Sequence, residues 1–198
     1  MTKKILITAA IKDELIPTWE YIKKSPIESI KTDFLITGIG RHKTLKNLNH
    51  YLIDNSPSII LNIGTCGSLN SDFKKGKLVM PTSFIAIIND SVQQIQSTFQ
   101  DHQNFEEFEN GGLYTSGTAL YKTREKNSAG RRTGADFVDM EAFWTAEFCQ
   151  HRKIPFIALK VVTDVMQDFS LNEFKQELKQ NAQLLVTPVD KLLRTIAV

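Results

Sequence analysis

The sequence predicts an α/β layer fold, with a central mixed β-sheet flanked by helices. Three observations carry that expectation. Short apolar runs alternate with amphipathic stretches along most of the chain. The runs are rich in Ile, Leu and Val, the composition of buried strands. Polar or glycine-rich spots fall where the runs end, and open α/β sheets bind ligands at the carboxyl ends of their strands. With 198 residues the chain can bury a sizeable core, and its length suits one domain spanning residues 1–198.

Each element follows from its residues. Lys4 to Thr8 reads as a first buried strand, with Ala9 to Lys12 turning at its end. A helix is expected over Leu15 to Lys24, with Pro17 tolerated only in its first turn. Phe34 to Thr37 is a second strand, broken by Gly38-Ile39-Gly40. Leu45, Leu48 and Leu52 recur at helical spacing, so His42 to Asp54 is a helix with one apolar stripe, ended near Pro57. Ser58 to Ile63 is a strong strand signal running into Gly64-Thr65-Cys66-Gly67-Ser68. Lys77 to Met80 and Phe84 to Ile88 are strands interrupted by Pro81. Asn89 to Asn110 is polar and reads as a loop. Gly112 to Ser116 is a further strand, and Lys122 to Arg132 is a charged surface segment. Phe137 to Met140 leads into a helix over Ala142 to His151. Pro155 to Val162 is a buried strand ending at Thr163-Asp164. Ser170 to Val198 is mostly helical, with Pro188 expected to kink or divide it.

Composition narrows the function classes. The apolar share of 41% and charged share of 23% are those of a globular protein, not of a disordered or fibrous one. The formal charge is only +2, so nothing points to nucleic acid or a membrane surface as partner. Cys66 and Cys149 form neither a CxxC pair nor a disulfide framework. There is no apolar run long enough to cross a membrane. The apolar stretch after the basic start ends by Lys12, which reads as a core strand rather than a signal peptide and leaves the cytoplasm as the expected location.

Four strand ends hold the candidate chemistry: 9–14, 38–41, 64–68 and 163–164. The Gly64–Ser68 stretch lacks the GKS or GKT of a P-loop and the spacing of GxGxxG. Its glycines suit either a ligand-facing loop or a simple tight turn. Asp164 closes a strand, where it caps the next helix or, with burial raising its pKa, donates a proton. Asp168 reads equally as a cap. Asp139-Met140-Glu141 stands at a strand-to-helix junction, where carboxylates satisfy orphan N–H groups. Glu141 can alternatively accept two ligand hydroxyls, with Met140 packed on a sugar or in the core. Glu14 competes with Lys12 and Asp13 as an ordinary surface residue. His42, His50, His102 and His151 have no metal-ligand spacing, so no zinc is expected. Nothing pairs Cys66 with a histidine as a nucleophile.

Taken together, these stretches resemble the purine nucleoside phosphorylase and nucleosidase superfamily, and most of all its methylthioadenosine/S-adenosylhomocysteine nucleosidases. VDMEAFWTAEFC followed by IPFIALKVVTDV is the most specific match, with a Met-Glu helix start and then Thr-Asp at a strand end. NIGTCGSL resembles the family's glycine-rich segment and SGTALY its base-pocket segment. The match covers most of the chain in the right order.

The resemblance implies a three-layer nucleoside phosphorylase-like fold and assigns roles residue by residue. Asp164 matches the acid that protonates purine N7. Glu14 matches the residue that activates the attacking water. Glu141 matches the ligand of the ribose hydroxyls, with Met140 against the sugar and Thr65 and Gly67 in the segment beside the water and ribose. Leu120 and Tyr121 match the pair that holds the base, though Leu120 replaces an aromatic residue, and Leu171 falls near another lost aromatic. The implied activity is hydrolysis of a purine nucleoside such as methylthioadenosine or S-adenosylhomocysteine, with water as co-substrate. No cofactor or metal is implied, and a homodimer is expected. Phosphorolysis is the rival. The phosphorylase segment usually carries an Arg where this chain has Asn62, which favours hydrolysis, while Arg41 and Lys160 keep a phosphate site open. A catalytically weak nucleoside-binding protein is the non-enzymatic alternative.

Overall fold

The structure is a computed structural model that describes residues 2–99, 105–168, 172, 178 and 180–197. In chain order the elements are β1 (Lys3–Ala9), α1 (Lys12–Lys24), β2 (Ile30–Ile36), α2 (Arg41–Asp54), β3 (Ile59–Ser68), β4 (Leu78–Val79), β5 (Ser83–Ile88), β6 (Ser91–Gln96), β7 (Gly112–Thr115), α3 (Thr123–Thr133), β8 (Phe137–Asp139), α4 (Ala142–Arg152), β9 (Phe156–Asp164) and α5 (Val186–Ala197). One mixed sheet takes the order β2-β1-β3-β8-β7-β5-β6, and β9 pairs with both β3 and β4.

The alternation of side chains along each strand sorts the core onto two faces. Ile5, Ile7, Leu61, Ile63, Ile157, Leu159 and Val161 face one way, under Leu15 and Ile22 of α1 and Val189, Leu192 and Leu193 of α5. Leu6, Ile60, Ala158 and Val162 face the other way, under Leu48 of α2 and Phe143, Trp144 and Phe148 of α4. Helices therefore cover both faces of the central strands, as the three-layer expectation requires. Among the described residues, no helix is long and apolar enough to cross a membrane.

β3 organises the site. It runs parallel to β1 and β9, then slips register between Cys66 and Gly67 and pairs its last two residues antiparallel with β8. The Gly64–Ser68 stretch is thus neither loop nor tight turn. The strand continues through it, and the bulge lets one strand serve both halves of the sheet.

Other elements differ from expectation for identifiable reasons. Residues 91–96 are not loop: β6 pairs antiparallel with β5 through Asn89 and Asp90, whose φ values of 49° and 62° make a tight two-residue turn. Residues 122–132 are not merely surface: they form most of α3, and its Lys126 is fully buried. α1 begins at Lys12, so Pro17 lies past its first turn. The proline is itself buried, with Leu15 and Ile22, and that packing offsets the lost backbone bond. Near the C-terminus the helical path breaks at Leu184–Leu185, and Pro188 stands in the first turn of α5, where its missing N–H costs nothing. Leu171 lies outside the described residues.

Candidate active site

The ends of β1, β3, β8 and β9 and the start of α1 enclose a cavity of about 190 Å³. Glu14, Thr65, Gly67, Leu120, Tyr121, Met140, Glu141 and Asp164 all line it. These are the residues singled out in the sequence, gathered from five separate stretches. Ala10, Ile11, Ile39, Cys66, Thr118, Ala119, Val138, Asp139 and Thr163 complete the wall, and they belong to the same strand ends and segments that the sequence singled out, though no role was assigned to most of them.

Glu14 sits in the first turn of α1, and its helix start turns it inward, leaving it 5% exposed. Its Oε1 accepts hydrogen bonds from the Thr65 backbone N–H and from Thr65 Oγ1, both at 2.8 Å. Gly64 makes room for it. A Cβ there would stand 2.8 Å from Glu14 Oε1, and the backbone holds φ at +149°.

Asp164 ends β9 and lies opposite Gly67 in the register. A Cβ on Gly67 would come within 2.6 Å of Asp164 Oδ2, so this glycine seats the second carboxylate as Gly64 seats the first. Among the described residues, Asp164 caps no helix. Its Oδ2 meets Lys126 Nζ at 2.5 Å, and Thr163 Oγ1 donates to Oδ1 at 3.4 Å. Burial holds its pKa above the ordinary carboxylate value, against the downward pull of Lys126 and Thr163.

Glu141 precedes α4, and the Gly40 N–H donates to its Oε1 at 2.8 Å. Burial first, and then the neighbouring Asp139, push its pKa up to about 8. Asp139 keeps a structural part. It accepts from the Ala142 N–H at 3.0 Å and from Thr115 Oγ1 at 2.7 Å, which caps α4 and ties it to β7. Its Oδ2 also meets Lys160 Nζ at 3.0 Å. Burial pulls the Lys160 ammonium downward, but Asp139, Glu14 and Glu141 outweigh it and leave the pKa above the usual value. Lys160 is therefore held charged beneath three carboxylates.

Cys66 lines the cavity, but burial pushes its thiol well above the ordinary range, so it stays protonated. Arg41 is not brought into the wall. Its guanidinium carbon lies 4.5 Å from the centre of the Trp144 ring. Asp168 accepts from the Thr123 N–H at 2.8 Å and caps α3. Lys126 is the site neighbour that the sequence concealed, because it stands in a run of charged residues whose helix has a single buried member.

A three-layer α/β domain with a carboxylate-lined cavity at its strand ends is the class that fold and site define. The chain belongs to the phosphorylase superfamily, whose family model matches residues 35–196. It is 24% identical, over 88% of its own length and 89% of the relative's, to a 5′-methylthioadenosine/S-adenosylhomocysteine nucleosidase of Buchnera aphidicola subsp. Schizaphis graminum. Among solved structures, it resembles a futalosine hydrolase mutant of Helicobacter pylori with a TM-score of 0.86 and 15% identity, covering 98% of this chain and 100% of that one. It also resembles the 5′-methylthioadenosine/S-adenosylhomocysteine nucleosidase of the same organism, solved with butyl-thio-DADMe-Immucillin-A. There the TM-score is 0.85 and the identity 16%, over 98% of this chain and 99% of that one. At these identities the structural likeness speaks for the fold.

Proposed function

We propose that the protein hydrolyses the N-glycosidic bond of a purine nucleoside, with water as the acceptor. One observation carries this reading. The described cavity lining contains four carboxylates, Glu14, Asp139, Glu141 and Asp164, and no Lys, Arg or His. Such a wall offers no cation to hold a phosphate dianion and suits a neutral nucleophile and a sugar that develops positive charge. The cations that the sequence offered for phosphate are otherwise engaged, Lys160 on Asp139 and Arg41 on Trp144, and Lys126 is paired with Asp164. Phosphorolysis is disfavoured on the same ground.

In this reading Asp164 supplies a proton to purine N7, so the base leaves as a neutral heterocycle. Burial favours the acid form that this step needs. Glu14, fixed by two donors on Thr65, takes a proton from water as its oxygen bonds to C1′. Glu141 accepts the ribose hydroxyls, and Met140 packs against the sugar. Leu120 and Tyr121 flank the base. The seats of Glu14 and Asp164 are three residues apart on β3, about 10 Å at the usual rise per residue, which leaves space for a nucleoside between them. Ala10, Ile11 and Ile39 give the cavity an apolar rim on the Glu14 side, which suits a 5′-alkylthio group such as that of methylthioadenosine.

The test is a panel of purine nucleosides, including methylthioadenosine, S-adenosylhomocysteine, futalosine and inosine, with base release followed at zero and saturating phosphate. Release that does not depend on phosphate, with free sugar as co-product, is expected. Formation of a sugar 1-phosphate would convert the reading to phosphorolysis. Tight binding without release would make the protein a nucleoside binder.

A further inference from the structure

Lys126 is the one residue of α3 that is buried, and it has no solvent exposure at all. A lysine is put in such a place only against compensating partners, because desolvating an unpaired ammonium is costly. Its partners are specific. Nζ contacts Asp164 Oδ2 at 2.5 Å and donates to the carbonyl oxygens of Val165 at 2.6 Å and Gln167 at 3.4 Å. A second tie lies a turn earlier. Asp168 accepts from the Thr123 N–H and Oγ1 at 2.8 and 3.0 Å. The first turns of α3 are thereby fastened to the segment that follows β9 at two points. Leu120 and Tyr121, on the cavity wall, immediately precede this helix.

We propose that Lys126 is a positioning residue for glycosidic cleavage: its buried ammonium fixes the Asp164 carboxyl over Gly67 and clasps α3, with the base-side wall it carries, onto the end of β9. The inference rests on the proposed reaction for its consequence in turnover, but the clasp itself stands on the contacts of Lys126 alone. Lys126 does not touch the cavity, so it acts through Asp164. Among the described residues, the other groups facing that carboxyl are Thr163 on β9, the protonated Cys66 on β3, and Lys75 in the segment before β4. Lys126 is the cation in direct contact with it. The arrangement also sets the acid's strength between opposing influences, with burial favouring the proton and the ammonium opposing it.

Lys126→Met keeps the length of the side chain and removes the charge. Loss of the anchor is expected to lower kcat on the order of 100-fold, the scale of a misplaced reacting group, while KM changes little. With the ammonium gone, Asp164 holds its proton to higher pH, so the alkaline limb of the kcat/KM profile moves upward. A role in packing alone would lower activity and leave that limb in place. The same displacement can be read without turnover, by following the carboxyl carbon of Asp164 in 13C-aspartate-labelled protein, assigned with Asp164→Asn. A midpoint higher in Lys126→Met than in the unmodified protein supports the proposal, and an unchanged midpoint overturns it. Should Lys126→Met not fold, Asp164→Asn provides the reciprocal measurement on the Lys126 15Nζ resonance, which must move if the two groups are paired. Failure of the reaction itself would show as absent base release in the unmodified protein, with these titrations unaffected.

Discussion

Two glycines on one strand, and the two carboxyl groups they seat, set the geometry at the residue scale. Gly64 and Gly67 leave no room for a Cβ because Glu14 and Asp164 occupy it. Gly67→Ala is therefore expected to push the Asp164 carboxyl out of its seat and reduce base release about 100-fold, while circular dichroism stays unchanged. Normal turnover in that variant would show that the close approach has no catalytic value. Asp164→Asn and Glu14→Gln each test one proton transfer directly, and each is expected to lower kcat roughly 10²- to 10⁴-fold with the fold retained. Full activity of Asp164→Asn on the true substrate rules out the acid role, and full activity of Glu14→Gln rules out water activation. The candidate site residues were legible through the family resemblance, which rests on local motifs: a Met-Glu helix start, a Thr-Asp strand end, a glycine pair. By residue type alone Asp164 read equally as a cap and Glu14 as an ordinary surface residue. Lys126 was not legible. Nothing in TREKNSAGRRT separates its lysine from the arginines around it, and only the packing of α3 against the end of β9 reveals which one is buried.

Elements were legible where they bury a face. β1, β3 and β9 are dense in Ile, Leu and Val because helices cover them on both sides, and their composition alone announced them. The β5–β6 hairpin escaped because β6 is mostly exposed, so SVQQIQ carries little apolar alternation. The signal present was the Asn89-Asp90 pair, which suits a turn with two positive φ values. Asp90→Gly should relieve the cost of a Cβ at φ 62° and stabilise the protein by about 0.5–1 kcal/mol, read as a rise in the chemical-denaturation midpoint at constant m. The ion pair of Asp90 with Arg132 is lost in that variant, but Asp90 is almost fully exposed and such a pair contributes little. A fall in the midpoint would mean that the pair, not the turn conformation, anchors the hairpin. The clasp between α3 and the end of β9 belongs to the same scale. In the proposed reading, a helix that scarcely touches the core governs the site by holding the two segments placed beside the base.

At the scale of the whole molecule, a cavity crowded with buried carboxylates makes stability and binding respond to pH in opposite directions. Glu141 has its pKa raised from an ordinary 4.5 to about 8, chiefly by burial and next by Asp139. Asp164 is shifted the same way. The folded protein thus holds more protons than the unfolded chain between about pH 4.5 and 8, and its stability falls as pH rises through that window. Lys160, shifted upward on balance, alters stability only in the alkaline range, beyond it. The melting temperature should accordingly decline from pH 5 to pH 8, each kcal/mol lost appearing as about 2–4 °C. Glu141→Gln, which cannot ionise, should flatten much of that slope. Nucleoside affinity should run the other way. A carboxylate accepts two ribose hydroxyls more strongly than the neutral acid does, so KM should rise as pH falls below 8 and Glu141 takes up its proton. The two measurements separate the structural consequence of the buried acid from its proposed use. A sloping melting temperature that Glu141→Gln flattens, beside a KM indifferent to pH, would leave Glu141 buried as described but remove it from sugar binding.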